Sequence, residues 1–190
     1  LGIGWALAAA ASAAPVLVNG SFETGDFTGW TATGPMSVST NAPFDGTFNA
    51  DYNATNTAGP AIGTLSQTLA TTIGANYIIS FAVRGNTPNN RTFSADFGGT
   101  NLLTIGPPWL GFAYTVFTIP VTATSASTLL SFTFTEPAPD TATTRFDFVT
   151  IADASAPELD STRASLPILV AFMLLAMASR RGTSESNQGE

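Results

Sequence analysis

Apolar and polar residues alternate along most of this chain. In the segment from Tyr77 to Arg84 the odd-numbered positions are all apolar, whereas Ser80, Ala82 and Arg84 lie on the other side. Successive side chains of a strand point to opposite faces, so this pattern predicts a half-buried antiparallel strand.

The same alternation recurs and predicts eight or so short strands. The others are expected at 16–19, 36–40, 65–70, 93–97, 101–105, 115–121, 128–135 and 145–151. Gly98-Gly99 is a two-residue turn signal and predicts a hairpin. No helix with a usable apolar stripe precedes the C-terminal tail, so two sheets must bury the phenylalanines against each other. The predicted fold is an all-β sandwich followed by a single C-terminal hydrophobic helix.

Both ends of the chain are apolar in a way that differs from the strands. Residues 1–14 are alanine-rich and end in a small-x-small site, which predicts a signal peptide whose start lies before Leu1. Residues 166–179 form a short apolar run, and Arg180-Arg181 follows it. We expect a transmembrane helix there and a cytoplasmic tail at 180–190, because arginines favour the cytoplasmic side. The alternative is a helix that closes a soluble domain.

A linker at 154–165 separates the predicted 15–153 domain from this helix and contains Pro157-Glu158. The order of Pro-Glu pair, apolar run and arginine pair resembles the PEP-CTERM sorting signal of Gram-negative bacteria. Leu159 stands where that signal has its second proline. The resemblance implies recognition by an exosortase and export to the cell envelope, the cell surface or the extracellular matrix.

Charge and composition exclude several function classes. The whole chain carries 13 acidic and 6 basic residues, a formal net charge of −7, with no cysteine and no histidine. An acidic surface is a poor partner for phosphates, so nucleic acid is not an expected ligand. The missing residue types exclude disulfides, the usual zinc sites and Ser-His-Asp or Cys-His catalysis.

Three segments carry a further resemblance. These are the opening Leu17-Val-Asn-Gly-Ser-Phe-Glu-Thr-Gly-Asp-Phe-Thr-Gly-Trp30, the pair Leu65-Ser-Gln-Thr-Leu69 and Tyr77-Ile-Ile-Ser-Phe81, and the closing Phe146-Asp-Phe-Val-Thr-Ile151. They are similar to the corresponding segments of galactose-binding-like jelly rolls, including carbohydrate-binding modules. The resemblance implies extracellular polysaccharide as the partner. We assign Trp30 to the core.

That resemblance also implies a structural calcium held by Glu23 and Asp147. If Val149 and Ile151 face the core, strand parity places Asp147 on the same inner face, where a carboxylate needs a cation or several donors. Two alternatives stay open. The carboxylate accepts backbone N–H bonds at a turn, or the parity is opposite, with Phe146 and Phe148 inside and Asp147 in water.

Candidate ligand contacts are aromatic rings and polar side chains in loops. Trp109 lies in a loop with two prolines that present its indole, and Tyr52 lies in a polar stretch at 41–63 together with Phe44, Asp51 and Asn53. Packing in the core or under a loop is the alternative for each ring.

The expected function is non-catalytic binding or organising of extracellular polysaccharide at the cell surface. A purely structural envelope or matrix component is the alternative. A third hypothesis is a glycoside hydrolase that uses two carboxylates, because paired acids hydrolyse glycosides without histidine or cysteine.

Overall fold

Ten β-strands form the described part of the computed structural model, which comprises residues 14–55, 59–85, 91–107, 111–137 and 142–154. Within these ranges there is no helix. The strands are β1 (Thr31–Thr33), β2 (Met36–Ser39), β3 (Asn49–Tyr52), β4 (Ala61–Ala70), β5 (Asn76–Arg84), β6 (Thr92–Phe97), β7 (Thr100–Ile105), β8 (Thr115–Thr122), β9 (Ser127–Glu136) and β10 (Thr144–Asp153).

The strands form two five-stranded antiparallel sheets. The first sheet has the order β1-β4-β9-β6-β7 and the second has the order β2-β3-β10-β5-β8. Only β2-β3 and β6-β7 join neighbours in sequence, so the chain crosses repeatedly from one sheet to the other. These crossings are typical of a double-sheet jelly roll, and they confirm the predicted all-β sandwich.

Phenylalanines from both sheets form the core between them. The rings of Phe132 in the first sheet and Phe146 in the second are 4.5 Å apart, and Phe81 packs edge-on against Phe132 at 5.2 Å. Phe93 and Phe134 complete this cluster, and all five side chains are at most 1% exposed. Large rings bury much apolar area at low conformational cost, so this cluster holds the two sheets face to face.

Strand β10 contains a β-bulge at residues 148 and 149. Asp147 is paired with Ala82 and Thr150 with Ser80, so β10 has one extra residue here, and Phe148 has a left-handed φ of 58°. The extra residue reverses the parity of the strand. Phe146 before the bulge and Val149, its second residue, therefore both face the core.

This bulge decides between the parity alternatives for Asp147. Val149 faces the core as expected, but Asp147 lies on the opposite side of the sheet with its pairing partner Ala82. The inner-face placement of Asp147 was wrong. Asp147 is nevertheless fully buried, because the loop at 41–48 covers it on the outer side.

Residues 16–19 do not form the strand predicted there. The side-chain amide of Gln67 replaces a strand partner, because its Oε1 accepts from the Val18 N–H at 2.8 Å and its Nε2 donates to the Val18 carbonyl at 3.0 Å. Two short strands, β1 and β3, were not predicted. Trp30 is 7% exposed, which confirms its assignment to the core.

The predicted signal peptide, linker, helix and tail lie outside the described residues, apart from Ala14 and Ala154. By its internal contacts the chain divides after Ser155, and the described residues belong to the first of the two units. No helix long and apolar enough to cross a membrane is found in the described ranges.

Tyr52 offers a test of the core. Its ring is fully buried and stacks on Phe134 at 5.6 Å, and its hydroxyl donates to the Ala61 carbonyl at 2.8 Å. We expect Tyr52→Phe to lower the free energy of unfolding by about 1 kcal/mol, because it removes one buried hydrogen bond and keeps the ring. Urea denaturation measures this, and an unchanged midpoint would show that the hydroxyl contributes nothing.

Candidate functional site

Two carboxylates hold the loop at 41–48 from opposite ends. Asp147 Oδ2 accepts from the Phe44 and Asp45 N–H groups at 2.8 and 2.9 Å, and its Oδ1 accepts from the N–H of Phe148 at 2.7 Å. Glu23 Oε1 accepts from the Thr47 and Phe48 N–H groups at 2.9 and 2.8 Å. The loop is therefore fixed by charge-assisted hydrogen bonds rather than by packing alone.

Gly46 lets the loop approach Glu23 this closely. Its φ is 65°, and a Cβ added there would lie 2.4 Å from Cδ of Glu23. Any other residue would be strained and would push the carboxylate away. Gly46 thus allows the Glu23 carboxylate to hold the loop.

These contacts do not fit a cation held between Glu23 and Asp147. Calcium needs several oxygen ligands, whereas the two carboxylates face N–H donors. Among the residues that the structure describes, no group of three or more acidic side chains could hold a metal ion. The contacts match the alternative in which the carboxylates accept backbone N–H bonds at a turn, and the structural calcium stays a prediction.

The outer face of the second sheet carries a row of polar side chains, which we call the arginine face. Cross-strand pairing places Ser37 beside Asp51, Asp51 beside Arg145, and Arg145 beside Arg84. Tyr114, directly before β8, continues the row next to Arg84, whose guanidinium carbon lies 5.3 Å from the centre of the tyrosine ring. The row therefore crosses the sheet from β2 to β8.

Two further rings, those of Phe44 and Phe148, lie beside the end of this row at Tyr114, on the side of the 41–48 loop. Phe44 contacts Tyr114 with ring centres 5.3 Å apart and Phe148 at 5.4 Å, and it is 42% exposed. The Tyr114 hydroxyl donates to the Ala42 carbonyl at 3.1 Å, which ties the ring to the loop. The left-handed conformation of Phe148 thus directs its ring to the outer side, against Phe44.

Several polar atoms on this face are buried and lack a hydrogen-bond partner. Among the described residues these are Asn49 Oδ1, Arg84 Nε and Arg145 Nε. Arg145 Nε lies 3.6 Å from Asp51 Oδ1, within ion-pair range, and Asn49 Nδ2 donates to the same oxygen at 2.5 Å. Buried polar groups without partners cost free energy, and their concentration on one face is typical of a ligand site.

Burial changes the acid–base properties of this face. Burial raises the pKa of Asp51, although the nearby Arg145 opposes the shift, and burial raises the pKa of Asp147 against the lowering effect of its N–H donors. Burial also raises the pKa of Tyr114, and the charge of Asp147 adds to that shift. Tyr114 is therefore a neutral ring with a hydroxyl donor at physiological pH.

The outer face of the first sheet has a different chemistry, and we call it the hydroxyl face. One row of paired residues crosses the whole sheet and contains only threonine and serine: Thr33, Thr64, Thr133, Ser94 and Thr104. Thr33 and Thr64 hydrogen-bond to each other at 2.6 Å. This row therefore presents hydroxyl groups and neither a charge nor an aromatic ring, whereas the neighbouring row contains Asp96.

The predicted ligand residues are separated by the structure. Asp51 lies on the arginine face, but the neighbouring Tyr52 points to the opposite side and is buried in the core, so the prediction of Tyr52 as a ligand contact was wrong. Asn53 forms a turn, because its Oδ1 accepts from the Thr55 N–H at 3.0 Å and its Nδ2 donates to Thr143. Trp109 lies outside the described residues.

Sequence reasoning missed Arg84, Arg145 and Tyr114. The signal was present for the arginines, since Arg84 was placed on the outer side of its strand and few basic residues occur in the chain. What the pattern could not supply was the pairing of β10 with β5, which brings the two arginines together.

Comparisons with known proteins agree with this architecture. A family described as carbohydrate binding domain matches residues 14–156. No curated protein matches the sequence.

Solved structures of similar fold include three carbohydrate-binding modules. TmCBM61 in complex with β-1,4-galactotriose is 16% identical over 72% of this chain and 97% of its own, with a TM-score of 0.55. The CBM22-1–GH10 modules of Clostridium thermocellum xylanase 10B, complexed with xylohexaose, are 19% identical over 76% of this chain and 29% of their own, with a TM-score of 0.55. The CBM22-1 xylan-binding domain of Paenibacillus barcinonensis Xyn10C is 18% identical over 78% and 99%, with a TM-score of 0.50. At these identities the likeness shows the fold alone.

Asp147→Asn tests the anchoring of the loop. An amide offers one acceptor oxygen where the carboxylate offers two, so at least one of the three N–H donors loses its partner. We expect the free energy of unfolding to fall by about 2–3 kcal/mol.

The same measurement decides the calcium prediction. Thermal unfolding of the native chain and of Asp147→Asn is followed with EDTA and with added Ca²⁺. A native melting temperature that rises with Ca²⁺, in contrast to an unresponsive variant, supports a structural calcium. Equal melting temperatures of the native chain in both solutions would leave only the N–H role.

Proposed function

This chain belongs to the carbohydrate-binding domain family, and from that premise we propose that it binds extracellular polysaccharide on the arginine face without catalysis. The observation that carries the proposal is the row from Asp51 through Arg145 and Arg84 to Tyr114. It combines an aromatic ring with both cationic and anionic side chains on one face, whereas the strand residues of the hydroxyl face include Asp96 but no arginine and no aromatic ring.

The chemistry of a sugar matches this row. The C–H face of a pyranose packs against an aromatic ring, and its hydroxyls pair with carboxylate, guanidinium and amide groups. Tyr114 and the exposed Phe44 supply rings, and the half-buried Asp51 and Arg84 supply polar groups. Asn49 is fully buried, and the bond from its Nδ2 to Asp51 Oδ1 fixes the position of that carboxylate.

Hydrolysis is a weaker reading of the same face. A glycosidase needs two carboxyl groups that reach the sugar. Of the described acidic residues on this face, Asp147 is fully buried and its oxygens accept backbone N–H bonds, which leaves Asp51 without a second catalytic acid. A purely structural role in the envelope or matrix is the remaining alternative, and it predicts no glycan binding.

The location is proposed from the ends of the chain. We infer export through the alanine-rich leader and attachment by the apolar run at 166–179, with the Pro157-Glu158 tail as a sorting signal for an exosortase in a Gram-negative envelope. The support is the order of these segments in the sequence.

Tyr114→Ala should weaken polysaccharide binding by about 1–3 kcal/mol, because a ring at the centre of a recognition surface contributes that much. Affinity electrophoresis of the full chain, in mild detergent, against a panel of soluble polysaccharides measures the loss. Thr133→Ala on the hydroxyl face is the matched control and should bind like the native chain. If Tyr114→Ala binds as tightly as both Thr133→Ala and the native chain, the arginine face is not the binding site.

Trp109→Ala belongs in the same series, since Trp109 stays a predicted contact. Loss of binding in that variant with full binding by Tyr114→Ala would move the site to the 106–111 loop. No retention of the native chain on any polysaccharide would favour the structural reading.

The tail proposal has its own test. We expect the full chain to fractionate with membranes, whereas a variant that ends at Ala156 is released, because the apolar run is the only predicted anchor. If an exosortase cuts the chain, mass spectrometry of the surface-released protein will find no peptide from 182–190. An intact 182–190 peptide on that released form would contradict sorting by cleavage.

A further inference from the structure

Two arginines face each other on neighbouring strands of the arginine face. Arg145 in β10 pairs directly with Arg84 in β5, on the same side of the sheet. Like charges in directly opposed positions destabilise a sheet, so such a pair needs compensating anions. These are two of only three basic residues in the described ranges, and the third, Arg91, forms an ion pair with Glu136 in the interior.

The compensation within the chain is unequal. Arg145 lies beside Asp51, with Nε 3.6 Å from Oδ1. Arg84 has no carboxylate within ion-pair distance among the described residues, and its Nε has no hydrogen-bond partner. Its close contact is the ring of Tyr114, which offers no negative charge. Because Nε itself is buried, the donors left for an external acceptor are the Nη groups of this half-buried side chain, which donate no hydrogen bond among the described residues.

Other acidic groups near Arg84 are engaged elsewhere. Asp147 accepts three backbone N–H bonds, and Asp45 accepts from the Ser21 hydroxyl at 3.0 Å on the far side of the loop. Asp51 is held by Asn49 and Arg145. The chain thus places Asp51 in ion-pair contact with Arg145, whereas Asp51 acts on Arg84 only from beyond ion-pair distance.

We propose that Arg84 binds the carboxylate of an acidic sugar, so that the polysaccharide recognised on the arginine face contains uronic acid. This inference rests on the proposed function. A guanidinium presents a fork of N–H donors that matches the two oxygens of a carboxylate. A uronic acid carries its carboxylate at the edge of the pyranose ring, and the Tyr114 ring next to Arg84 packs against the C–H face of that pyranose. Cation and ring are adjacent, as one charged sugar requires.

The acidic balance of the whole chain makes this position selective rather than generally cationic. With a net charge of −7 the protein repels polyanions at long range, so only a carboxylate that reaches the guanidinium gains from it. Short oligosaccharides are therefore the appropriate probes.

The test measures binding of the full chain, in mild detergent, to trisaccharides of galacturonate, glucuronate, mannuronate and guluronate. Each is paired with its methyl ester, which keeps the shape and removes the charge, and neutral β-1,4-linked galactose and xylose oligosaccharides are included. We expect at least one acid to bind about tenfold or more tightly than its ester, because a charge-assisted contact is replaced by a neutral one.

Variants assign this preference to Arg84. Arg84→Gln should abolish the preference of the acid over the ester while binding of the ester persists, and Arg84→Lys should keep only part of it. Thr104→Glu on the hydroxyl face is the control, because it changes the net charge by the same amount at an exposed position. Melting temperatures of all variants show that each is folded.

The outcomes separate the two proposals. Equal binding of every acid and its ester, or a preference that survives Arg84→Gln, overturns the role of Arg84 and leaves polysaccharide binding intact. Failure to bind any of the acidic, esterified or neutral oligosaccharides, in a folded native chain, would count against the proposed function itself.

Discussion

The carboxylate of Asp147 is the contact on which the candidate site depends. It is fully buried, and backbone N–H groups of Phe44, Asp45 and Phe148 donate to it. A buried charge costs free energy unless several donors satisfy it. The hydrogen bonds that satisfy Asp147 therefore also hold the loop at 41–48 against strand β10. The fixed loop then places the Phe44 ring against Tyr114 and receives the Tyr114 hydroxyl. Arg84 lies over that same ring. One carboxylate therefore connects the sheet, the loop and the aromatic border of the arginine face.

The bulge in β10 makes this arrangement possible, and it also explains why strand parity failed. Alternation counted back from Val149 places Asp147 inside, and alternation that begins at Phe146 places it in water. Both counts assume an uninterrupted strand. With the extra residue at the bulge, Phe146 and Val149 both enter the core, and Asp147 lies outside the sheet but under the loop. Nothing in the sequence Phe146-Asp147-Phe148-Val149 reveals the bulge, since the left-handed position is held by phenylalanine and not by the glycine that usually marks it.

Sequence predicted the fold where the two faces of a strand have different surroundings. The strands β4, β6 and β9 bury one side and expose or half-bury the other, so their period of two is visible. It failed at β1, which is only three residues long, and at β3, where three of the four residues are buried, so neither strand shows a clear period. It also failed at Val18, where a tertiary contact from Gln67 takes the place of strand pairing. The candidate site was less predictable still. Residue type suggested Tyr52 because it lies in a polar stretch, but Asp51 and Tyr52 are neighbours in a strand and must face opposite ways.

The two outer faces of this sandwich separate what the fold requires from what a function requires. The hydroxyl face shows that a five-stranded sheet of this protein forms with mainly short, uncharged side chains on its outer side, among them one complete row of threonine and serine. The arginine face has the same backbone but places two guanidinium groups side by side and leaves Asn49 Oδ1 and Arg84 Nε without partners in the described residues. Each of these features lowers stability, and hydroxyl residues at the same positions would avoid the cost. The two adjacent guanidinium groups are a feature that the fold neither needs nor benefits from. A ligand explains them best if it offers an anion to Arg84, hydroxyls to Asp51 and an apolar ring face to Tyr114.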